Sequence, residues 1–220
     1  MHAPGIVWLF DLDNTLHNAN PHIFPHINQA MNDYICAHLG VDQSTASKLR
    51  QDYWQRYGAT LLGLMRHHGT DPRHFLWHTH QFPDLQRMLV HSKTLKATLA
   101  RLPGRKILFS NAPRHYTNAV LGLTGIGPLF NAIYSVESVR FQPKPMRAGF
   151  WHLLRAEKLN PRRCVMVEDS LDNLLTAKKL GMKTVWINGA VHPGLRRSPA
   201  VDVMLRHVGE LPGQLRRCRT

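Results

Sequence analysis

Residues 6–18 read IVWLFDLDNTLHN, and the passage from the apolar run Ile6 to Phe10 into the pair Asp11 and Asp13 decides how the rest of the chain is read. Five apolar residues in a row, rather than an alternation, describe a strand buried on both faces, the habit of a parallel sheet. Two carboxylates flanking one leucine repel each other and resist desolvation unless something positive sits between them. The pair is therefore either a solvated turn or the holder of a cation. At a strand's carboxyl end, residues two apart point the same way, so Asp11 and Asp13 can face one ligand while Leu12 anchors in the core. Hard oxygen donors of this kind suit Mg²⁺, which takes one or two protein carboxylates and leaves other positions to water and phosphate.

Five further short apolar runs lie downstream: KILFS (106–110), AIYSVE (132–137), CVMVE (164–168), KTVWIN (183–188) and VDVML (201–205). Helical patterns separate them at Arg114–Leu121, Arg147–Lys158 and Leu171–Leu180, the last closed by Gly181 just past its end. This alternation predicts an α/β fold with a doubly wound parallel sheet, whose ligands bind beyond the carboxyl ends of the strands. Asp11, Ser110 and Asp169 all fall there.

From Pro21 to Leu102, helix follows helix with no strand between. INQAMNDYICAHLG ends on Gly40, STASKLRQDYWQRYG has Ser44 as its expected N-cap and Gly58 as its stop, and LLGLMRHHG and FPDLQRMLVHS continue with helical spacing. An ordinary crossover between parallel strands needs only about a dozen residues or somewhat more, and this stretch has about eighty. It is expected to be an all-helical cap at 19–102, inserted into a core domain made of 1–18 and 103–220. There is no internal repeat and no low-complexity tract.

With 220 residues and 43% hydrophobic content the chain can bury a full core. Lys and Arg number 28 against 14 Asp and Glu, a net charge of +14. The basic residues are spread along the chain, and only LRR at Leu195 and LRRCR at Leu215 form small clusters. That distribution favours a basic surface that attracts anionic substrates over a specific nucleic-acid reader. The apolar run near the start is too short for a signal peptide or a membrane span, and Cys36, Cys164 and Cys218 form no C-x-x-C pair, so a cytoplasmic protein with reduced thiols is expected.

Three features bear on the aspartate pair. KILFSN places Ser110 just past a strand, where its hydroxyl and the Asn111 amide can donate to a phosphate oxygen. QPKP holds Lys144 between two prolines, which restrict the backbone around a long flexible cation. CVMVEDSLDN ends a strand with Glu168 and Asp169, adjacent acids that are costly without a cation or hydrogen bonds, and Asp169 can supply a further carboxylate to Mg²⁺. Ser170 suits a helix N-cap, and Asp172 suits the first turn of that helix.

In this order, DLDNT, LFSN, the Lys144 of QPKP and VEDS resemble the four motifs of the haloacid dehalogenase-like phosphohydrolase superfamily, and a helical cap inserted after the first motif is also its pattern. The resemblance implies that Asp11 attacks phosphorus and carries a phosphoryl-aspartate. It implies that Asp13 protonates the leaving alkoxide and then activates water, and that Lys144 and Ser110 stabilise the equatorial oxygens. Mg²⁺ would be held by Asp11, the Asp13 backbone carbonyl and Asp169, with Thr15 and Glu168 supporting the site. Asn173 departs from a pattern in which many members have a second aspartate. A dehalogenase is disfavoured, because that chemistry opens at carbon and needs no acid such as Asp13. A sugar-phosphate mutase, a phosphatase for another small metabolite such as phosphoglycolate, and a basic nucleic-acid-binding protein are the alternatives.

FDLDNTLHN, YGATLLGL (57–64), FSNAPRHY and VEDSLDNLLTAKKLGMKTVWI most resemble the pyrimidine 5′-nucleotidase group. That implies a small phosphorylated partner, a nucleoside monophosphate such as UMP or CMP. A phosphate site sees only phosphate, so the choice of base falls to the cap, where Tyr57 and Thr60 offer an aromatic face and a hydroxyl.

Overall fold

The computed structural model describes residues 5–189 and 198–218. The basic cluster at 195–197 and the last two residues of the basic tail lie outside the described residues.

Strand β1 (Val7–Phe10) is followed by five helices: α1 (Ile23–Leu39), α2 (Gln43–Tyr57), α3 (Thr60–His68), α4 (Pro72–Thr79) and the short α5 (Leu85–Met88). Then come α6 (Leu95–Ala100), β2 (Arg105–Phe109), α7 (Arg114–Thr124), β3 (Ala132–Tyr134), α8 (Arg147–Ala156), β4 (Cys164–Glu168), α9 (Leu171–Lys179), β5 (Lys183–Ile187), β6 (Val203–Leu205) and α10 (Leu215–Cys218). The six strands form one parallel sheet in the order β3-β2-β1-β4-β5-β6. In a doubly wound sheet of this order, the chain turns from one side to the other between β1 and β4, and a crevice opens at their carboxyl ends.

The apolar runs form these strands because both of their faces are buried. Val7 and Leu9 pack into the cluster that holds Ile107, Phe109, Phe150, Leu153 and Met166, with Phe109 edge-on to Phe150 at 5.1 Å. On the other face Trp8 and Phe10 lie 6.1 Å apart, and Trp8 Nε1 donates to the Pro103 carbonyl at 2.8 Å. Leu12 is fully buried, as the sequence predicts. Strands β3 and β6 fall furthest short of their apolar runs. After Tyr134 the chain enters turns in which Phe141 N–H donates to the Val136 carbonyl, and Asp202 is drawn out of β6 because its carboxylate accepts from Thr184 N and Oγ1.

The chain divides into two compact units, one of Met1–Asn18 with Val90–Thr220 and one of Ala19–Leu89. The sequence reading puts the second crossing at 102; in the structure it falls at Leu89. The reason is an antiparallel bridge between Asn18 and Val90, with Asn18 N–H donating to the Val90 carbonyl at 2.7 Å. Helix α6 therefore belongs to the sheet-bearing unit, where Leu95, Leu99 and Leu102 are buried. FPDLQRMLVHS is correspondingly less helical than its spacing predicts, because Leu89 is already extended.

Within the inserted unit, Arg50 ties α2 to α1 through Asn32 Oδ1 (3.0 Å) and Asn28 Oδ1 (2.9 Å). The N-cap of α2 is Asp42, not Ser44: its carboxylate accepts from Thr45 N–H at 2.8 Å, and a negative charge is favoured at a helix start. Gly58 ends α2 with φ of 80°, the left-handed conformation that glycine adopts without a steric penalty.

Gly149 in the first turn of α8 marks a close approach that matters to the site. A Cβ there would lie 2.1 Å from the Gln142 carbonyl oxygen, two residues before Lys144. Gly149→Ala is expected to force that loop outward and to lower the unfolding free energy by about 1–3 kcal/mol, measured by urea denaturation.

Candidate active site

Asp11 follows β1 directly and stays in register with the sheet, its N–H donating to the Val167 carbonyl of β4 at 3.0 Å. The chain then turns sharply. Thr15 and Leu16 N–H groups both donate to the Leu12 carbonyl, and Asn14 takes a positive φ of 60°. Beside Asp11, β4 ends in Glu168 and is followed by Asp169. Carboxylate oxygens of Asp11, Glu168 and Asp169 lie within 4.8 Å of one another. Three acids from two neighbouring strand ends thus meet where the sheet order reverses.

Lys144 enters this cluster from the loop before α8. Its ammonium donates to Asp11 Oδ1 and to Glu168 Oε2, each at 2.7 Å, with the lysine side chain only 1% exposed. It lies 5.2 Å from the centre of the Phe109 ring, which favours a cation on its face. Asn111 holds the lysine in place: its Nδ2 donates to the Lys144 carbonyl and its Oδ1 accepts from Lys144 N–H, both at 2.8 Å. The sequence reading gave the Asn111 amide a phosphate oxygen. Its side-chain amide bonds both polar groups of the Lys144 backbone, which uses one of the two Nδ2 hydrogens. Ser110 lies at the end of β2, next to β1, and its Oγ accepts from Ala112 N–H at 3.0 Å. That contact uses a lone pair and not the hydroxyl proton.

Electrostatically the cluster is short of positive charge. Burial, and then the neighbouring Glu168, push the Asp11 carboxyl up to about 7; burial likewise pushes Glu168 up to about 7 and raises Asp169. Burial works to lower the Lys144 ammonium, but Asp11 and Glu168 outweigh it and hold that pKa above its ordinary value. One lysine cannot compensate three acids. The donor set therefore fits a hard dication. Glu168 is already occupied, with Oε1 accepting from Asp169 and Ser170 N–H and Oε2 from Lys144, so Asp11 and Asp169 are the carboxylates left to hold it.

Asp13 is held differently. Tyr116, in the first turn of α7, donates its hydroxyl proton to Asp13 Oδ1 at 2.6 Å, and His17 Nε2 lies 2.9 Å from the same oxygen. Burial and then the Asp13 charge raise the Tyr116 phenol far above its ordinary value, so it remains a donor. Sequence reasoning missed both residues, although FSNAPRHY and DLDNTLH contain them. Thr15 is buried, and its hydroxyl has no hydrogen-bond partner among the described residues. Ser170 occupies the N-cap of α9 without a side-chain bond, Asp172 is exposed in the first turn and Asn173 is buried.

Tyr57 and Thr60 belong to the inserted unit. The Tyr57 hydroxyl lies 2.6 Å from His67 Nε2, with the guanidinium carbons of Arg56 and Arg66 at 5.5 and 5.8 Å from its ring centre. Thr60 donates its hydroxyl proton to the Arg50 carbonyl at 2.9 Å.

Fold and site together define a doubly wound α/β domain with an acidic cluster at the switch point of its sheet. The chain belongs to the haloacid dehalogenase-like hydrolase family, whose pattern it matches over residues 7–181. It is 27% identical over 138 residues to Phosphate metabolism protein 8 of Saccharomyces cerevisiae, a match covering 58% of this chain and 42% of that one. It is 30% identical over 146 residues to N-acylneuraminate-9-phosphatase of Mus musculus, covering 64% and 57%. The chain thus spans about half the length of these curated relatives. Among solved structures, a HAD phosphatase from Thermococcus onnurineus superposes with a TM-score of 0.67 at 23% identity, over 98% of this chain and 100% of that one.

The raised carboxyls set the pH behaviour of the cation-free protein. Asp11 and Glu168 ordinarily titrate at 3.8 and 4.5, so between there and about 7 the folded chain binds more protons than the unfolded chain. Stability must then fall as pH rises through that window. With chelator present, Tm at about pH 8 is expected to lie roughly 5–10 °C below that at about pH 5.5, and Mg²⁺ should restore it at the higher pH. Differential scanning calorimetry checks both.

Proposed function

We propose that the protein is a Mg²⁺-dependent phosphomonoester hydrolase that passes the phosphoryl group through Asp11. The observation that carries this reading is the buried Asp11 carboxylate, 2.7 Å from the Lys144 ammonium and grouped with Asp169 at the reversal of the sheet order. A carboxylate pushed up to about 7 is a poor nucleophile at neutral pH until a cation stabilises its charge. Mg²⁺ held by Asp11, Asp169 and the Asp13 backbone carbonyl would supply that charge and offset the repulsion between carboxylate and phosphate.

Asp11 attacks phosphorus in line, forming an acyl phosphate as the alkoxide leaves. Asp13 gives that alkoxide its proton, and then takes one from the water that cleaves the acyl phosphate. The Lys144 ammonium and the Ser110 hydroxyl donate to the equatorial oxygens, where charge spreads in the transition state, with the Asn111 backbone N–H beside them. Thr15 and Glu168 support the turn and the lysine.

For the substrate we infer a pyrimidine nucleoside monophosphate, with the helical insertion acting as the cap that selects it. The reading is supported by the motif resemblance and by Tyr57, an aromatic ring with two guanidinium groups within about 6 Å of its centre and suited to an anionic substrate with a flat base. The Thr60 hydroxyl proton is spent on Arg50, so that residue offers an acceptor lone pair. A second reading, a phosphorylated sugar acid, is favoured by the mouse relative named as an N-acylneuraminate-9-phosphatase. No helix among the described residues is long and apolar enough to cross a membrane. With its three cysteines unpaired, we place the protein in the cytoplasm and expect no specific nucleic-acid partner.

Asp11→Asn is expected to leave less than a few per cent of phosphate release, because an amide is a weak nucleophile and a weak ligand. A panel of UMP, CMP, AMP, GMP, phosphoglycolate, a hexose phosphate and N-acylneuraminate 9-phosphate should show UMP and CMP turned over fastest. A hundredfold preference for one of the last three would overturn the nucleotide assignment and leave the phosphatase reading standing.

A further inference from the structure

Two residues that the reaction above does not use converge on the side chain assigned as its acid. Tyr116 Oη, His17 Nε2 and Asp13 Oδ1 form a triangle with sides of 2.6, 2.9 and 3.3 Å, the last between the tyrosine and the histidine. Tyr116 is 1% exposed and His17 is 4% exposed. All three lie in the sheet-bearing unit. The histidine is brought back by the turn after β1, where residue 17 pairs with residue 13 in an isolated bridge, and the tyrosine by the start of α7.

His17 is informative because its burial is incompletely satisfied: Nδ1 has no hydrogen-bond partner among the described residues. A leucine would fill the same volume with no orphaned atom, so the ring is explained by what Nε2 does. The orphan also sets the tautomer. A buried N–H without an acceptor is rarer than an unpaired acceptor, so the proton sits on Nε2 and points at Asp13. Oδ1 thus accepts from two donors, which takes both of its lone pairs.

We propose that Tyr116 and His17 are positioning residues that clamp Oδ1 of Asp13, fix the rotation of its carboxyl group and so assign the transferred proton to Oδ2. The clamp is needed because the terminal carboxylate torsion is broad and roughly two-fold, so that an unheld aspartate interchanges its oxygens. Proton transfer to a leaving oxygen works only over a hydrogen-bond length and within a narrow angle. In the forward step, the O–H bond at Oδ2 breaks as the proton joins the departing alkoxide, and Asp13 becomes a carboxylate. In the second step the same oxygen takes a proton from water. Tyr116 and His17 keep their own protons throughout.

The inference rests on Asp13 as the general acid, and the test separates the two. Tyr116→Phe, His17→Leu, His17→Gln and Asp13→Asn are assayed on 4-nitrophenyl phosphate, on phenyl phosphate and on whichever alkyl phosphate the native enzyme hydrolyses best. The folding of each variant is checked by thermal melting. Loss of positioning should grow with the basicity of the leaving group. Tyr116→Phe and His17→Leu are expected to lose less than about threefold on the nitrophenyl ester and about ten- to a hundredfold on the alkyl ester, with His17→Gln, which keeps a donor, restoring much of the difference. In an Asp13→Asn background neither change should add to the leaving-group dependence, because there is no proton left to position. Equal fractional losses on all three esters would overturn the clamp while Asp13→Asn still shows its slope. A flat Asp13→Asn profile would overturn the acid assignment and the clamp with it. If Tyr116→Phe fails to fold, the two His17 variants decide the matter by the same criterion.

Discussion

The 2.7 Å contacts from the Lys144 ammonium to Asp11 and Glu168 place one positive and two negative charges in a space almost closed to water. Desolvating such groups is expensive, and attraction within the cluster offsets it only when geometry and hydrogen bonds are good. Asp169 then adds a third carboxylate within 4.8 Å. A cluster of this kind is costly for stability alone; it is short of positive charge, an imbalance of the kind that a hard dication relieves. The local features of the sheet ends are best understood as means of holding that imbalance in place.

Each acid is held by different means, and the means divide their roles. Glu168 accepts from two backbone N–H groups and from the lysine. Asp11 is drawn into sheet register by its own N–H, so its carboxylate stands at the crevice between β1 and β4. Leu12 is locked into the core and forces the next residue back toward the ligand side. Asn111 grips the Lys144 backbone from the end of a neighbouring strand, and Gly149 lets α8 pack against the loop that carries the lysine. A rigid parallel sheet supplies the starting points, and side chains from loops complete the geometry.

The helical insertion begins and ends at one point, the bridge between Asn18 and Val90. Gathering both crossings there lets some seventy residues be inserted without disturbing the strands on either side. Ile23, Ile35, Leu64 and Phe75 of the inserted unit are buried, and Arg50 ties α2 to α1.

The amino-acid sequence by itself determined the strands, because a run such as VWLF or CVMVE has no polar face and can only be buried. It also determined that acids stand at two strand ends, with a serine at a third and a lysine pinned between prolines, since these are local facts of spacing and residue type. What it could not contain is which side chain answers which. That Asn111 holds Lys144 across 33 residues, that Lys144 reaches both Asp11 and Glu168, and that the second crossing falls at Val90 all depend on distances between segments remote in sequence. Asp42 displaced Ser44 as the cap because the helix starts at Gln43, which leaves Thr45 N–H as an orphan donor within reach of residue 42, and only the path of the chain into the helix decides where its first turn begins. Tyr116 and His17 carry no signal of their own in the sequence. A tyrosine in a helix and a histidine after a turn become partners of Asp13 only when the sheet brings α7 and the turn after β1 side by side, and tertiary structure alone made that decision.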